Sequence, residues 1–150
     1  MRSSILGVGI VLCLVLVYSP AIAAEGGKSM PNLVGTWTGK EKAHFHKATR
    51  EAVRELRVTE QDGAYFRGFR SWEHTDKKEA HGDVGGKKVH KATEPIIGVI
   101  GFDGKTIYLV EHGDWGIVHA RLVGPDTIEA IYVESGPAAA IFRTLYKRKR

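Results

Sequence analysis

The sequence predicts an all-β protein: a single eight-stranded antiparallel up-and-down β-barrel, preceded by a cleavable signal peptide. Turn signals recur about every ten to twelve residues in the second half of the chain, and apolar residues alternate with polar ones between them. Glycine accounts for 18 of the 150 residues, which favours an architecture with many turns. The length suits one ordinary domain, and a hydrophobic fraction of 43% with 26% charged residues excludes a wholly disordered chain.

The N-terminal residues have the pattern of an export signal. Arg2 supplies a positive charge, residues 5–18 form an uncharged apolar run, and residues 21–24 (AIAA) provide a cleavage site of small residues. The run is shorter than the roughly 20 residues that a helix needs to cross a bilayer core. We therefore predict cleavage at the end of the AIAA stretch and a secreted or periplasmic location. Cys13 is the single cysteine, so the processed chain would contain no thiol and no disulfide.

The organisation of the chain follows from these signals. Four segments are predicted: a signal peptide (1–24), a flexible lead-in (25–32), the barrel domain (33–147) and a basic tail (148–150). The eight barrel strands are expected at residues 33–43, 51–60, 64–73, 89–101, 105–111, 115–123, 127–134 and 139–147.

Turn residues separate most of these strands. Asp62-Gly63 and Asp103-Gly104 predict tight hairpin turns, because glycine accepts the positive φ that such turns need, and Gly124-Pro125 predicts another turn. The segment 43–60 also has helical spacing of its apolar residues, but the β-rich sequence around the first Asp-Gly turn favours a strand. The polar, glycine-rich segment 74–94 is expected to form a long loop or a mobile ribbon at a barrel mouth.

Apolar residues occur on both parities of the predicted strands between about residues 95 and 134. A monomeric barrel with one face in water has cleaner alternation of apolar and polar residues. The excess therefore favours a homo-oligomer that covers part of the outer face. The alternative is that aromatic and β-branched residues are simply common in strands.

Two motifs resemble those of a known group of barrels. Gly35-Thr36-Trp37 on the first strand and Arg143 on the last resemble the lipocalins, fatty-acid-binding proteins and avidins, together called calycins. The resemblance covers residues 33–147. It implies that Arg143 lies over Trp37 and closes one end of the barrel, where a guanidinium on an indole face gains a cation–π contact. The stretches 99–111 and 122–136 resemble small secreted prokaryotic proteins of unassigned function.

The resemblance does not extend to biotin binding. Gly39 and Ala43 stand where biotin-binding avidins have polar first-strand residues. Glu41, between them, would place a carboxylate on the inner face, which suits neither biotin nor a fatty-acid tail.

Non-catalytic binding of a small, partly apolar ligand is the function that an eight-stranded barrel favours, since its interior holds either side chains or one small molecule. No cofactor is predicted. An oligomeric envelope protein with a filled barrel is the first alternative. The residues expected to line the pocket share the inward parity: Ala43, Phe45, Leu56, Phe66, Gly68, Trp72, Ile107, Leu109, Ile117 and Tyr132.

His44 and His46 would lie on one face of a strand and could supply two ligands of a Zn²⁺, Cu²⁺ or Ni²⁺ site. If Trp37 points inward, however, both imidazoles point to solvent. A metal-binding protein or small hydrolase that uses this pair is the second alternative. The sequence has no paired carboxylates at catalytic spacing, no phosphate-binding loop and no nucleophile motif, so it favours a protein that is not an enzyme.

The positive charge is concentrated at the C-terminus. The formal net charge is +5, and residues 147–150 are all Lys or Arg. This tail predicts weak attraction to polyanions or anionic lipid. The export signal argues against a nucleic-acid partner.

Overall fold

The computed structural model describes residues 29–45, 48–75, 82–84, 87–112, 115–136 and 139–150. Its first five strands are β1 (Gly35–Phe45), β2 (Ala48–Asp62), β3 (Tyr65–His74), β4 (Gly82–Val84) and β5 (Lys87–Val89). The other five are β6 (Lys91–Ile100), β7 (Thr106–Glu111), β8 (Ile117–Gly124), β9 (Thr127–Glu134) and β10 (Ala140–Arg148). Within these ranges, no helix is long and apolar enough to cross a membrane. The predicted signal peptide, 1–24, lies outside the described residues.

Eight of the strands close into an antiparallel barrel with the order β1-β10-β9-β8-β7-β6-β3-β2. The predicted all-β, eight-stranded up-and-down barrel is therefore confirmed. Strand β2 covers most of the ambiguous segment 43–60, so the prediction of a strand there is also confirmed. Strands β4 and β5 pair with each other as a separate hairpin within the segment 74–94.

A period of two along the strands sets the inner face of the barrel. In β10, Ala140, Phe142, Thr144 and Tyr146 are buried, while the residues between them are exposed. Strands β3, β7 and β9 have the same alternation. This is the pattern expected when one face of a strand packs on the core and the other faces water.

The barrel end at Gly35 and Arg148, called the closed end here, is filled by apolar side chains. Leu33, Trp37, Ile107 and Ile128 are at most 1% exposed. The Trp37 indole donates a hydrogen bond to the Leu33 carbonyl oxygen at 2.9 Å, so its polar atom is satisfied. The space left between Leu33, Ile107, Ile128 and their inward neighbours is about 10 Å³, which is no more than one water molecule needs.

Arg148, and not Arg143, covers Trp37. The guanidinium carbon of Arg148 lies 4.0 Å from the centre of the Trp37 ring, and these two residues are partners in the β1–β10 register. Arg143 is exposed, because Phe142 and Thr144 on either side of it face inward. The prediction for Arg143 was wrong since β10 continues to Arg148, a residue of the inward parity, beyond the predicted end of the strand.

Gly35 has the conformation that makes room for this closure. Its φ is 130°, a value that side-chain-bearing residues rarely adopt. A Cβ atom at Gly35 would lie 3.3 Å from Nη1 of Arg148. The Gly-x-Trp motif therefore provides both the ring and the space for the guanidinium that covers it.

Candidate functional site

The opposite half of the barrel interior, called the polar end here, contains two buried ion pairs. Glu41 of β1 and Arg54 of β2 lie 2.6 Å apart, measured from Oε1 to Nη2. Arg70 of β3 pairs with Glu111 of β7. All four side chains are at most 6% exposed, so neither pair is a surface salt bridge. Charges at this depth are costly to desolvate and require good partners.

Arg70 spans the barrel and separates the apolar core from the polar end. It reaches Glu111, its Nε lies 3.3 Å from the Tyr146 hydroxyl, and its guanidinium carbon lies 4.8 Å from the centre of the Tyr132 ring. Burial alone would lower the pKa of Arg70, but the charge interactions and hydrogen bonds with Tyr146 and Glu111 outweigh it, so the pKa is raised. Arg70 is therefore a fixed cation that holds strands β3, β7 and β10 together.

Arg54 is the more unusual of the two arginines. Its guanidinium carbon lies 4.8 Å from the centre of the Phe142 ring and 5.7 Å from that of Trp72. Glu41, which also accepts a hydrogen bond from Thr144 Oγ1 at 2.9 Å, approaches Arg54 as an ion pair. The Nε atom of Arg54 is buried and has no hydrogen-bond partner among the described residues. An unsatisfied buried donor costs about 1–3 kcal/mol, a cost that a hydrogen-bond acceptor at this atom would remove.

Two side chains of the polar end keep a small exposed fraction. Trp72 is 9% exposed and Glu94 is 8% exposed, compared with 0% for Trp37 at the closed end. The small side chains Ala43 and Ala140 lie on the same inner face and are buried.

His74 belongs to this end as well. It is 4% exposed, and its ring centre lies 5.0 Å from that of Trp72. The His74 backbone N–H donates to the carbonyl oxygen of His90 at 3.0 Å. The sequence places His74 near a loop end, whereas the structure places it on the inner face of β3, as the last residue of the strand.

The structure divides the predicted pocket residues into groups. Trp72 lies beside Arg54, and Tyr132 lies beside Arg70. Glu41, which was expected on the inner face but not among the pocket residues, is buried there. Ala43 is buried, and Gly68 faces inward at a position where any Cβ would overlap the Arg57 carbonyl oxygen. Four residues face inward but line the small space of the closed end: Leu56, Phe66, Ile107 and Leu109.

The remaining predicted pocket residues are Ile117 and Phe45. Ile117 faces outward and is 54% exposed, so its predicted inward position was wrong. The reason is that Val118 and Ala120 take the inner face of β8, and the sequence offers apolar residues on both parities there. Phe45 ends β1, but its side chain lies outside the described part of the structure.

The predicted metal pair cannot be assembled from the described residues. His44 faces outward, and its Nδ1 atom lies 3.0 Å from Thr49 Oγ1. His46 lies outside the described residues. No group of three His, Cys, Asp or Glu side chains in the described ranges is arranged to hold a metal ion.

Sequence reasoning missed Arg54, Arg70 and Glu111 as interior residues. A signal was nonetheless present: each lies on the same parity as apolar residues that face the core, such as Leu56 and Leu109. A charged residue at such a position indicates a buried polar site instead of a solvated strand face.

Together, the fold and this interior define a closed antiparallel β-barrel with one packed end and one polar, aromatic end. The barrel is similar to the S-type phycobiliprotein lyase CPES from Guillardia theta, with a TM-score of 0.45 and 15% identity over 79% of this chain and 89% of that chain. It is also similar to EF1p2_mFAP2b bound to DFHBI, with a TM-score of 0.44 and 12% identity over 78% of this chain and 94% of that chain. These values are too low to indicate a function for this chain. No protein-family model and no curated protein matches the sequence.

Proposed function

We propose that this protein binds a small, uncharged, planar molecule in the polar end of the barrel, through a carbonyl-type oxygen that accepts a hydrogen bond from Arg54. The observation that carries the proposal is the buried Arg54 Nε, which has no hydrogen-bond partner among the described residues. A ligand oxygen at this position would satisfy the donor. Hydrogen bonds to charged groups contribute about 1.5–3 kcal/mol.

The aromatic surroundings of Arg54 favour a planar ligand. Phe142 and Trp72 lie within cation–π distance of its guanidinium, so the site already holds flat groups against one another. Tyr132 stacks on Phe142 with ring centres 4.7 Å apart and an angle of 4° between the planes. A planar molecule would extend this arrangement with stacking contacts of the same kind.

The charges of the site favour an uncharged ligand over an anion. Glu41 balances Arg54, and Glu111 balances Arg70. A carboxylate ligand would therefore bring an excess negative charge into a poorly solvated space, which is unfavourable.

The closed end has too little free space to hold the ligand. The space among the apolar residues is about 10 Å³, so a ligand cannot lie in the centre of the apolar core. Binding therefore involves Arg54, Trp72, Tyr132 and Phe142, and the inward residues of the closed end serve as core.

Two probes of similar shape test the proposal. Coumarin is planar, uncharged and has a carbonyl oxygen, whereas naphthalene has no such acceptor. We expect coumarin to bind and to quench tryptophan fluorescence, and naphthalene to bind at least tenfold more weakly, since a tenfold difference corresponds to about 1.4 kcal/mol. Equal affinity for the two probes would contradict the role of Arg54.

The matched variants are Arg54→Lys and Arg57→Lys. Arg54→Lys keeps the positive charge beside Glu41 but removes the Nε donor, so we expect it to lose at least tenfold in coumarin affinity. Arg57 lies on the same strand and faces outward, so Arg57→Lys serves as the control. Loss of binding in both variants, or in neither, would count against the site.

We also propose that the protein acts outside the cytoplasm, on the basis of the signal peptide that the sequence predicts at residues 1–24. The intact mass of the protein purified from the extracellular or periplasmic fraction tests this. A mature chain that begins at residue 24 or 25 is expected. An uncleaved chain in the cytoplasmic fraction would contradict it.

A further inference from the structure

The outer surface of the barrel has two different halves. On β1 and β2 the outward residues include many charges, among them Lys40, Lys42, Glu51 and Arg57, all exposed. The outward residues of β3 and β6 to β9 include a much larger share of apolar and aromatic side chains, among them Phe69, Tyr108 and Ile131, all exposed. Because each barrel strand is paired on both sides, no strand of the barrel has a free backbone edge. A partner that binds this half would therefore contact its outward side chains.

The apolar residues of the second half form continuous rows across neighbouring strands. Ile97 of β6 pairs with Val110 of β7, Val110 pairs with Ile117 of β8, and Ile117 pairs with Val133 of β9. Their exposed fractions are 66%, 40%, 54% and 49%. Residues directly opposite one another on one face have Cβ atoms about 4.5–5.5 Å apart, so the row is one contiguous stripe.

A second row lies beside the first. Tyr65 pairs with Val99, Val99 pairs with Tyr108, and Tyr108 pairs with His119. The rings of Tyr108 and His119 are stacked, with centres 4.9 Å apart and an angle of 8° between the planes. A groove of about 900 Å³ follows these two rows. We call this surface the apolar face and define it by six residues that line the groove: Tyr65, Ile97, Val99, Tyr108, Val110 and Ile117.

We propose that the apolar face binds the same face of a second copy of this chain, as a two-fold symmetric dimer. Two-fold contacts use one patch twice and are the commonest form of self-association. Sheets that pack face to face interdigitate their side chains at about 10 Å separation, and two such faces can do the same.

The exposed area is sufficient for such a contact. Tyr65 is 71% exposed, Ile97 is 66% and Tyr108 is 46%. At on the order of 50–100 Å² of exposed apolar surface per side chain, the face and its neighbours Phe69 and Val133 offer roughly 400–800 Å². Standard interfaces bury about 800 Å² per partner, of which somewhat more than half is apolar.

The charges around the apolar face favour a second copy over a lipid surface. Arg67 and Glu60 form an ion pair of 3.2 Å at one margin. Arg121 and Glu129 are register partners at another. Both signs are therefore present at each margin, which allows a symmetry-related copy to place unlike charges opposite one another. An anionic membrane would instead require a basic margin.

Sedimentation velocity on the protein purified from cells that express the full chain, with its N-terminus determined by mass spectrometry, tests the proposal. We expect the wild-type protein to sediment as a dimer at about 50 μM. Ile117→Glu and Ile97→Glu should each raise the dimer dissociation constant at least tenfold. Val53→Glu is the control, because Val53 is outward-facing and 44% exposed but lies on β2, in the charged half.

The outcomes are distinguishable. A wild-type protein that is monomeric up to about 200 μM overturns the proposal, as does a dimer that survives Ile117→Glu. Equal disruption by Val53→Glu and Ile117→Glu also overturns it. A monomer that floats with phosphatidylglycerol vesicles, and loses this binding in Ile117→Glu, would assign the face to lipid instead. Far-UV circular dichroism of each variant confirms that the barrel is folded before these results are compared.

Discussion

Arg148 lies over Trp37, with its guanidinium carbon 4.0 Å from the centre of the indole ring. The same side chain donates hydrogen bonds to the carbonyl oxygens of Val34 at 2.8 Å and Asn32 at 2.7 Å. Its Nε also lies 3.3 Å from Asp126. One residue therefore connects the last strand, the segment before the first strand and the β8–β9 turn, so the closure of the barrel depends strongly on it.

Replacing Arg148 by methionine should lower the free energy of unfolding by about 1–2 kcal/mol, because the cation–π contact and the hydrogen bonds are lost while the apolar stem is kept. Urea denaturation measures the change. Arg143→Met is the control, since Arg143 is exposed on the same strand, and should change the stability by less than about 0.5 kcal/mol. Equal effects of the two substitutions would mean that Arg148 does not close the barrel.

The effects of substituting Arg70 and Glu111 on stability should be strongly coupled. Arg70→Met leaves the Glu111 carboxylate buried without its cation and should destabilise the barrel by about 3–5 kcal/mol. The double variant Arg70→Met/Glu111→Leu should recover most of this loss, because an apolar pair needs no charge compensation. Denaturant unfolding of the two single variants and the double variant gives the coupling energy. Additive effects would contradict the assignment of the pair as a unit.

The architecture could be predicted from the sequence because its signals are local. Gly63 and Gly104 have the positive φ values, 56° and 67°, that the two Asp-Gly turns require. The alternation of residues in β7 and β9 places Ile107 and Ile128 in the core, as a period of two demands. Turn chemistry and strand period are properties of a few neighbouring residues, so they can be recognised without tertiary contacts.

The interior site could not be predicted because its contacts are not local. Arg70 and Glu111 are 41 positions apart, and Glu41 and Thr144 are 103 apart. Only the closure of the barrel brings such residues together. The inward face of β8 could not be predicted either, because Ile117 and Val118 are both apolar and either can face the core. A one-residue error in parity moves a side chain to the opposite face.

Low pH should remove the stabilisation that Asp103 gives to the β6–β7 turn. Its pKa is lowered from 3.8 to about 2, because it accepts hydrogen bonds from the backbone N–H groups of Thr106 and Lys105 and from the Thr106 hydroxyl. Since the folded pKa is below the unfolded one, the stabilisation is fully present above about pH 4. It is lost as the pH falls from 3.8 through about 2.

Asp103→Asn should therefore make the loss of stability between pH 4 and pH 2 less steep. Thr106→Val removes only the hydroxyl donor, so it should have the same effect to a smaller degree. Thermal unfolding at a series of pH values measures both. An unchanged dependence on pH in Asp103→Asn would contradict the assigned hydrogen bonds.

Substitutions at Phe66 and Gly98 should test how tightly β3 packs against β6. They are register partners, and a Cβ atom at Gly98 would overlap the Phe66 ring. Gly98→Ala should lower the free energy of unfolding by about 1–3 kcal/mol through overpacking. The double variant Phe66→Leu/Gly98→Ala should lose at least about 0.5 kcal/mol less than the sum of the single variants, because the smaller side chain leaves room for the new methyl group. Gly124→Ala is the control, since the atom nearest to the new Cβ would be 4.0 Å away. Additivity of the Phe66 and Gly98 changes would contradict the contact.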